Sequence, residues 1–414
     1  RAAFTWVTRR LRESGRIQIP VVTSNRINTP EVAEDVLATG CADMVSMARP
    51  LLADPDFVNK AAAGHAHRIN TCIACNQACL DHVFANQRAS CLVNPFACYE
   101  SEMVVEPVTV VKKVAVVGGG PAGMQCACVA AERGHNVVLF EARDELGGQF
   151  DMARSIPGKE EFDETLRYLR GRLADAGVSL KLGTRARVED LADFDEVVVA
   201  TGVVPRKLSI PGIDHPRVLT YPQVLRDKVP VGKTVAIVGA GGIGFDVAEF
   251  LTHHRDERQL PDLHEFMAEW GVDVDGWGVS PDVEPGGLRP RQPPAPARQV
   301  FLLQRKTTRH GKDLGKTTGW IHRAQLKQRA VEMIGGVSYV RIDDEGLHIE
   351  SGGKPQCLKV DHIVICAGQV SENSLVDALS TLGVSVHVIG GAKEAGELDA
   401  RRAFRQGADI GRAL

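Results

Sequence analysis

Four cysteines lie close together in the first quarter of the sequence, and their spacing could support metal chemistry. They are arranged as Cys72-x-x-Cys75-x-x-x-Cys79, and Cys91 follows after eleven further residues. A loop with this spacing can bring thiolates to three corners of a 4Fe–4S cube, and a fourth cysteine completes the set. A structural zinc site is the main alternative, but such sites usually pair two CxxC knuckles and this segment has one. Unligated thiols are the third interpretation; the spacing favours the cluster, with Cys98 left spare.

The remaining cysteines are scattered and do not form a second ligand set. They are Cys41, Cys126, Cys128, Cys357 and Cys366. Free cysteine is among the most buried residue types, so we expect these five to be small core residues. Ten cysteines without an apolar signal segment favour a reducing, cytoplasmic compartment, where metal ligation and redox chemistry are commoner than disulfides.

A glycine motif follows the cysteine segment in a context typical of dinucleotide binding. Gly118, Gly120 and Gly123 follow a predicted buried strand and open a predicted helix, so that backbone can approach a pyrophosphate at the helix N-terminus. A second strand, 136–140, ends in Glu141, whose carboxylate can accept hydrogen bonds from ribose hydroxyls. Gly148 and Gln149 after this strand, and Thr201 and Gly202 after a later one, are typical of FAD rather than NAD folds. The other predicted FAD contacts are Gly148, Gln149, Val188, Thr201, Gly202 and Gly391.

A second glycine motif indicates a second nucleotide site. Gly239, Gly241 and Gly244 follow the predicted strand 235–238. The next strand of this unit, 299–303, ends in Gln304, Arg305 and Lys306. A carboxylate there would repel a 2′-phosphate, whereas an arginine can form a bidentate pair with it, so we expect NADPH rather than NADH. A solvated basic turn is the alternative, and the argument requires the insertion at 254–298 to loop out.

The elements that position these motifs predict several α/β domains. A chain of 414 residues is too long for one ordinary core. Residues 1–66 alternate strand, helix, strand and helix, and two such units cannot cover a sheet or close a barrel alone. The Pro-rich insertion at 254–298 has no apolar period and is expected to be a surface loop. The charge of −3 and the absence of a long apolar run favour neither nucleic acid nor a membrane as a partner.

Together these residues resemble the bacterial-type NADPH-dependent 2,4-dienoyl-CoA reductases, in which an old-yellow-enzyme barrel precedes iron–sulfur and flavin domains. The resemblance rests on the cysteine segment INTCIACNQACLDHVF, both glycine motifs, IPGKEEFDETLRYLR and GKTTGWIHR. The chain also resembles trimethylamine dehydrogenase and its relatives, but more distantly. The resemblance implies the end of an FMN-binding (β/α)₈ barrel at 1–66, cut short, and a cluster segment at 67–104. It also implies an FAD domain at 105–232 and 369–414 that encloses an NADPH domain at 233–368.

The resemblance also implies a reaction, in which NADPH reduces a 2,4-dienoyl-CoA of unsaturated fatty acid β-oxidation by way of FAD, the cluster and FMN. The FMN phosphate site would lie after the last two barrel strands, at Asn25, Arg26, Ala48 and Arg49. The family's proton donors belong to an earlier part of the barrel, so we expect no catalytic residue in this chain. A related 2-enoate reductase and a stand-alone NADPH-driven electron-transfer module remain alternatives. The sequence leaves the oligomeric state open.

Overall fold

The structure is a computed structural model that describes residues 1–254, 262–274, 287–381, 383–396 and 399–414. The chain divides into two units. The first comprises Arg1–Asp151, Glu161–Val204 and Val370–Leu414, and the second comprises Met152–Glu160 and Pro205–Gln369. No helix among the described residues has the length and apolar character needed to cross a membrane.

The described residues contain seventeen strands and fifteen α-helices. The strands are β1 Val22–Ser24, β2 Met44–Ser46, β3 Lys113–Val117, β4 Asn136–Phe140, β5 Ser179–Lys181, β6 Glu196–Val199, β7 Val203–Pro205, β8 Val218–Thr220, β9 Thr234–Val238, β10 Gln299–Leu303, β11 Glu332–Ile334, β12 Val337–Asp343, β13 Gly346–Ser351, β14 Lys354–Leu358, β15 His362–Ile365, β16 Gln369–Ser371 and β17 Ser385–Val388. The helices are α1 Thr5–Glu13, α2 Pro30–Ala38, α3 Arg49–Ala53, α4 Phe57–Ala62, α5 Leu80–Phe84, α6 Pro121–Glu132, α7 Gln149–Ala153, α8 Phe162–Asp175, α9 Val188–Leu191, α10 Tyr221–Leu225, α11 Gly242–Thr252, α12 Leu263–Glu269, α13 Gly319–Gln328, α14 Leu375–Thr381 and α15 Ala400–Ala413.

The first unit is built around a parallel sheet in the order β17-β6-β3-β4-β5. Its central strands are runs of valine, which suit a sheet that is buried on both faces. Val114, Val116 and Val198 are fully buried in the core that α6, α8 and α15 cover. Strands β3 and β6 are neighbours although other elements separate them along the chain, so the crevice where ligands bind in such sheets lies at their carboxyl ends.

The same unit holds the barrel-type segment and the cysteine loop. Strands β1 and β2 pair in parallel, with Thr23 opposite Val45, and α2 crosses between them. Thr29 caps α2, since its side chain accepts a hydrogen bond from the amide of Val32, and Pro30 occupies the first turn. Helices α1 and α3 were not anticipated from the sequence pattern. The segment otherwise follows the predicted alternation of strand and helix.

The second unit contains a parallel sheet in the order β11-β10-β9-β15-β8. Its four strands β15, β9, β10 and β11 repeat the order of β6, β3, β4 and β5, but its edge strand β8 precedes them in the chain, whereas β17 follows the others. A separate antiparallel sheet, β12-β13-β14, lies between β11 and β15 in the chain. The fold class predicted from the sequence, two nested Rossmann-like units after a barrel-type segment and a cysteine loop, is confirmed. The insertion at 254–298 differs from the expected irregular loop: residues 255–261 and 275–286 lie outside the described residues, but α12 and a bridge between Val272 and Leu288 are regular structure.

Helix α11 of the second unit buries a carboxylic acid. Glu249 is 4% exposed, and neither of its oxygens accepts a hydrogen bond from the described residues. Burial raises the pKa of Glu249 to about 7, a rise that Arg329 opposes and that Asp246 and Glu269 increase. His253, which directly follows the helix, lies 3.7 Å away. The folded chain therefore retains a proton on Glu249 at pH values where the unfolded chain has lost it.

We expect a Glu249→Gln chain to lose less stability with rising pH than the unsubstituted chain. Between the ordinary pKa of the carboxyl and the raised value, the folded state binds more protons than the unfolded state, so stability falls as pH rises. By about pH 8 the unsubstituted chain should have lost roughly 3–4 kcal/mol more stability than the variant, since one pKa unit corresponds to about 1.4 kcal/mol. Urea unfolding at several pH values measures it, with exposed Glu332→Gln as the control. Parallel pH curves for the two chains would contradict the assignment.

Candidate cofactor-binding sites

The four predicted cluster cysteines line a single recess in the first unit. Its lining residues are Arg49, Leu52, Cys72, Ile73, Ala74, Cys75, Asn76, Ala78, Cys79, Ser90, Cys91, Leu92 and Val93. Ala74 and Asn76 adopt left-handed backbone conformations, with φ of 53° and 62°, which turn the loop sharply on both sides of Cys75. Cys98 is exposed and is not among the lining residues. The fold therefore gathers the four predicted ligands and leaves the fifth cysteine outside.

The recess has the chemistry of a site for a metal cluster. Burial, with a smaller contribution from the neighbouring cysteines, raises the pKa of Cys75 and of Cys91 to about 12. Four thiolates in such a setting need cations to compensate their charge, and cluster iron supplies it. Four thiolates can hold either an iron–sulfur cluster or a zinc ion, and the single CxxC knuckle is the feature that favours the cluster. The ligand assignment remains a prediction.

Two predicted FMN residues follow β1, and one of them forms an ion pair. Asn25 and Arg26 both have positive φ, 83° and 56°. Arg26 donates to the carboxylate of Glu161 at 3.0 Å, and Asn28 donates to the same carboxylate at 3.0 Å. Asn28 also donates to the Cys72 carbonyl at 2.8 Å. Asn28 thus links the barrel-type segment to the cysteine loop and to Glu161, a role that the sequence does not reveal because Asn28 and Glu161 are 133 residues apart.

The other two predicted FMN residues follow β2. Ala48 precedes α3 and Arg49 begins it, and since β1 and β2 are parallel, both predicted loops emerge at the same edge. The Arg49 guanidinium donates to Asn76 Oδ1 at 2.6 Å and lines the cysteine recess. Arg49 therefore lies at the junction of the barrel-type segment and the predicted cluster. Its predicted contact with the FMN phosphate remains untested.

The first glycine motif forms the turn between β3 and α6. Gly118 has φ +115°, and a Cβ added to it would lie 2.3 Å from the Ala200 carbonyl oxygen of the neighbouring strand end. A Cβ on Gly123 would lie 1.9 Å from the Gly118 carbonyl oxygen, so this glycine allows the helix to pack on the turn. A Cβ on Gly120 would meet nothing within 4 Å. Open space therefore remains at the N-terminus of α6, where a pyrophosphate would sit.

Two further predicted FAD residues, Glu141 and Gly148, lie at this turn. Glu141 follows β4 and accepts hydrogen bonds from the amides of Gly119 at 2.7 Å and Arg143 at 2.9 Å, one on each oxygen. A carboxylate offers about four acceptor positions, so capacity remains for ribose hydroxyls. Gly148 approaches the turn, because its added Cβ would lie 3.1 Å from Gly120 Cα. Of the remaining predicted FAD residues, Gln149 begins α7 and Val188 begins α9. The Thr201 hydroxyl donates to the Glu372 carbonyl, and Gly202 has φ +78°. The Gly391 carbonyl accepts a hydrogen bond from Ser371 Oγ at 2.7 Å.

The second glycine motif repeats this geometry in the second unit. Gly239 has φ +111°, and its added Cβ would lie 2.6 Å from the Cys366 carbonyl oxygen. A Cβ on Gly244 would lie 1.9 Å from the Gly239 carbonyl oxygen, whereas one on Gly241 would meet nothing within 4 Å. The N-terminus of α11 is thus open to a ligand in the same way as that of α6. The backbone fits a second dinucleotide.

The predicted 2′-phosphate turn follows β10. Gln304 does not extend outward: its side-chain amide donates to the Lys306 carbonyl at 2.9 Å and to the Thr308 carbonyl, and so shapes the turn. Arg305 and Lys306 are exposed on this turn, and Lys306 lies 3.8 Å from Asp313. The structure therefore assigns Gln304 a supporting role that the sequence alone did not suggest. Two cations remain available at the strand end.

We expect Arg305→Ala to weaken binding of NADPH much more than binding of NADH. The substitution removes a charge-assisted pair with the 2′-phosphate, a loss of about 1–3 kcal/mol or roughly ten- to hundredfold in affinity. Anaerobic titration of the chain with each nucleotide gives the two dissociation constants. Lys207→Ala, at an exposed lysine of the same unit, is the matched control. Equal losses for both nucleotides would rule out the 2′-phosphate role.

The fold and these sites are typical of proteins that bind dinucleotide cofactors. The chain belongs to the pyridine nucleotide-disulphide oxidoreductase family, whose profile matches residues 36–193 and 112–393. Residues 1–68 match the NADH:flavin oxidoreductase / NADH oxidase family. The two matches agree with the order of a barrel-type segment followed by nucleotide-binding units.

Known relatives share most of this chain. It is 34% identical over 384 residues to a metal reductase of Desulforamulus reducens, covering 91% of this chain and 55% of the relative. It is 31% identical over 406 residues to a bilirubin reductase of Mediterraneibacter gnavus, covering 97% and 56%. The structure of a 2-naphthoyl-CoA reductase in complex with 2-naphthoyl-CoA superposes with a TM-score of 0.85 at 28% identity, over 100% of this chain and 56% of that one. The chain thus spans about half the length of the curated relatives it matches.

Proposed function

We propose that this chain is the electron-input part of an NADPH-dependent reductase that acts on conjugated acyl-CoA thioesters, with a 2,4-dienoyl-CoA as the specific substrate. The observation that carries the proposal is the four-cysteine recess, which shares Arg49 with the barrel-type segment and belongs to the same unit as the glycine turn of α6. A one-electron carrier in this recess could pass electrons between the nucleotide site and the substrate site, and so keep nucleotide oxidation apart from substrate reduction.

In this proposal the chain itself binds and orients cofactors. When bound, FAD would supply two-electron exchange with NADPH, a 4Fe–4S cluster would supply single-electron transfer, and FMN would supply hydride transfer to the substrate. Cys72, Cys75, Cys79 and Cys91 hold the cluster. The turns at Gly120 and Gly241 receive the two pyrophosphates, and Arg305 selects the phosphorylated nucleotide.

The relatives support the acyl-CoA class and also favour a second candidate. The similar 2-naphthoyl-CoA reductase structure contains a CoA thioester, which supports a thioester substrate for this chain. A cinnamate reductase of Clostridium sporogenes is 34% identical over 258 residues, which cover 62% of this chain and 38% of that relative. That similarity favours a free 2-enoate as the alternative substrate. An electron-transfer module that serves a separate partner is the third possibility.

Anaerobic oxidation of NADPH by the full-length polypeptide tests the proposal. The acceptors to compare are a 2,4-dienoyl-CoA, a simple 2-enoyl-CoA, cinnamate, and buffer alone. We expect rapid turnover with the dienoyl thioester and little with the free acid. Turnover with cinnamate alone would move the enzyme to the 2-enoate branch. Reduction of the bound flavin with no acceptor consumed would overturn the reductase assignment in favour of the electron-transfer module.

A further inference from the structure

The antiparallel sheet of the second unit carries a group of side chains that can bind a metal ion and that the nucleotide sites do not use. Register places His348 of β13 directly opposite Cys357 of β14, so both side chains lie on the same face of the sheet. The opposite face carries Leu347 and Ile349, which are buried. Glu345 lies in the turn between β12 and β13 and reaches toward the same histidine.

The distances in this group suit a small cation. Cys357 Sγ lies 3.7 Å and Glu345 Oε2 lies 3.9 Å from His348 Nε2, and the three ligand atoms all fall within 4.8 Å of one another. In a tetrahedral zinc site, bonds of about 2.3 Å to sulfur and 2.0 Å to nitrogen separate the two ligand atoms by about 3.5 Å. The sulfur–nitrogen separation therefore already matches one edge of such a site. The glutamate is exposed and can close the remaining gap.

The donor set and its surroundings favour a zinc-class ion over the hard cations. Thiolate and imidazole select zinc and similar ions, whereas calcium and magnesium require oxygen ligands. His348 Nε2 is also 2.8 Å from Asp343 Oδ1, so bound metal would replace that hydrogen bond. Asp343 keeps its pair with Arg341 at 2.9 Å when the histidine turns to a metal. The fourth position would hold water, because the site opens to solvent through Glu345.

We propose that Glu345, His348 and Cys357 form a binding site for a zinc-class divalent cation that ties the β12–β13 turn to β14. The site is separate from the four-cysteine recess and does not depend on the proposed reductase activity. Bound metal joins the β12–β13 turn to β13 and β14, so it stabilises the sheet by mass action.

Isothermal titration of the cofactor-loaded full-length chain with Zn²⁺ under anaerobic conditions tests the site. We expect His348→Ala and Cys357→Ser each to weaken one binding event by at least about tenfold, a loss that even an outer-shell partner can cause. The controls are His215→Ala, which removes a histidine 3.2 Å from Asp344 of the same turn, and Cys98→Ser, at an exposed cysteine elsewhere. Both controls should bind zinc like the unsubstituted chain.

Zinc-edge X-ray absorption of the same samples identifies the ligands. One sulfur with nitrogen and oxygen neighbours is expected, and the sulfur should disappear in Cys357→Ser. An unchanged flavin spectrum in the two site variants establishes that they fold. Binding that survives both substitutions, equal weakening in His215→Ala, or a coordination shell made mainly of sulfur would overturn the proposal; the last outcome would indicate zinc in the cluster recess.

Discussion

Cys75→Ala should abolish the iron–sulfur cluster while FAD stays bound. Cys75 lies between the sharply turned residues Ala74 and Asn76 and lines the recess with Cys72 and Cys91, so its loss removes a ligand from the middle of the loop. Three remaining thiolates cannot complete the coordination of a cube held by four cysteines. The FAD turn at α6 uses none of these residues. Iron content and visible absorbance after flavin extraction should therefore fall to background, while the extracted FAD per chain is unchanged.

The fifth cysteine of the segment provides the matched control. Cys98 is exposed and lies outside the recess, so Cys98→Ala should retain full iron content. If Cys75→Ala kept the absorbance and Cys98→Ala lost it, the ligand set would have to be reassigned. Zinc in place of iron after aerobic and anaerobic purification alike would favour the structural zinc alternative.

Gly120→Ala should fold normally and lose most of its affinity for FAD. An added Cβ at this position meets no protein atom within 4 Å, and φ at Gly120 is −78°, so neither sterics nor backbone strain opposes alanine. The methyl group would instead occupy the space where the pyrophosphate must approach the backbone. We expect at least a hundredfold weaker binding, or about 3 kcal/mol. Flavin content after gel filtration and reconstitution with added FAD measure the loss.

The neighbouring glycine separates a binding effect from a folding effect. An alanine Cβ at Gly123 would lie 1.9 Å from the Gly118 carbonyl oxygen, so Gly123→Ala should lower stability with or without FAD. Gly120→Ala should lower only the stabilisation that FAD itself adds. Thermal melts of the apo chains distinguish the two. An apo melting temperature for Gly120→Ala as low as that of Gly123→Ala would show that the first substitution also disturbs the fold.

Much of the fold follows from local sequence patterns. Strands at 136–140 and 299–303 appear with the predicted bounds, because short runs of apolar and β-branched residues flanked by turn signals are a strong signal over a few residues. The glycine turns were likewise recognisable, since close backbone approach leaves no room for a Cβ at Gly118, Gly123, Gly239 and Gly244. The insertion at 254–298 was less predictable: α12 has an Asp262–Glu265 capping box, but its flanks lack an apolar period.

The partners of the site residues were decided by tertiary structure. Glu161 binds Arg26 and Asn28 across more than 130 residues of chain, and no local pattern encodes such a pairing. Arg49 turned toward Asn76 and the cysteine recess for the same reason. The group at His348 and Cys357 depends on strand register, in which a shift of one residue would put the two side chains on opposite faces.

The sequence by itself determined which cofactor-binding groups this chain offers: four thiols at cluster spacing, two glycine turns, and a basic turn after β10. These are properties of residue type and of separations along a few turns of backbone, where covalent geometry limits the outcome. Only the tertiary structure decided which groups share one recess, that Gln304 shapes its own turn, and that Glu249 is buried with a raised pKa. Burial and long-range pairing depend on the packing of elements that are distant in the chain, and that packing is a property of the whole fold.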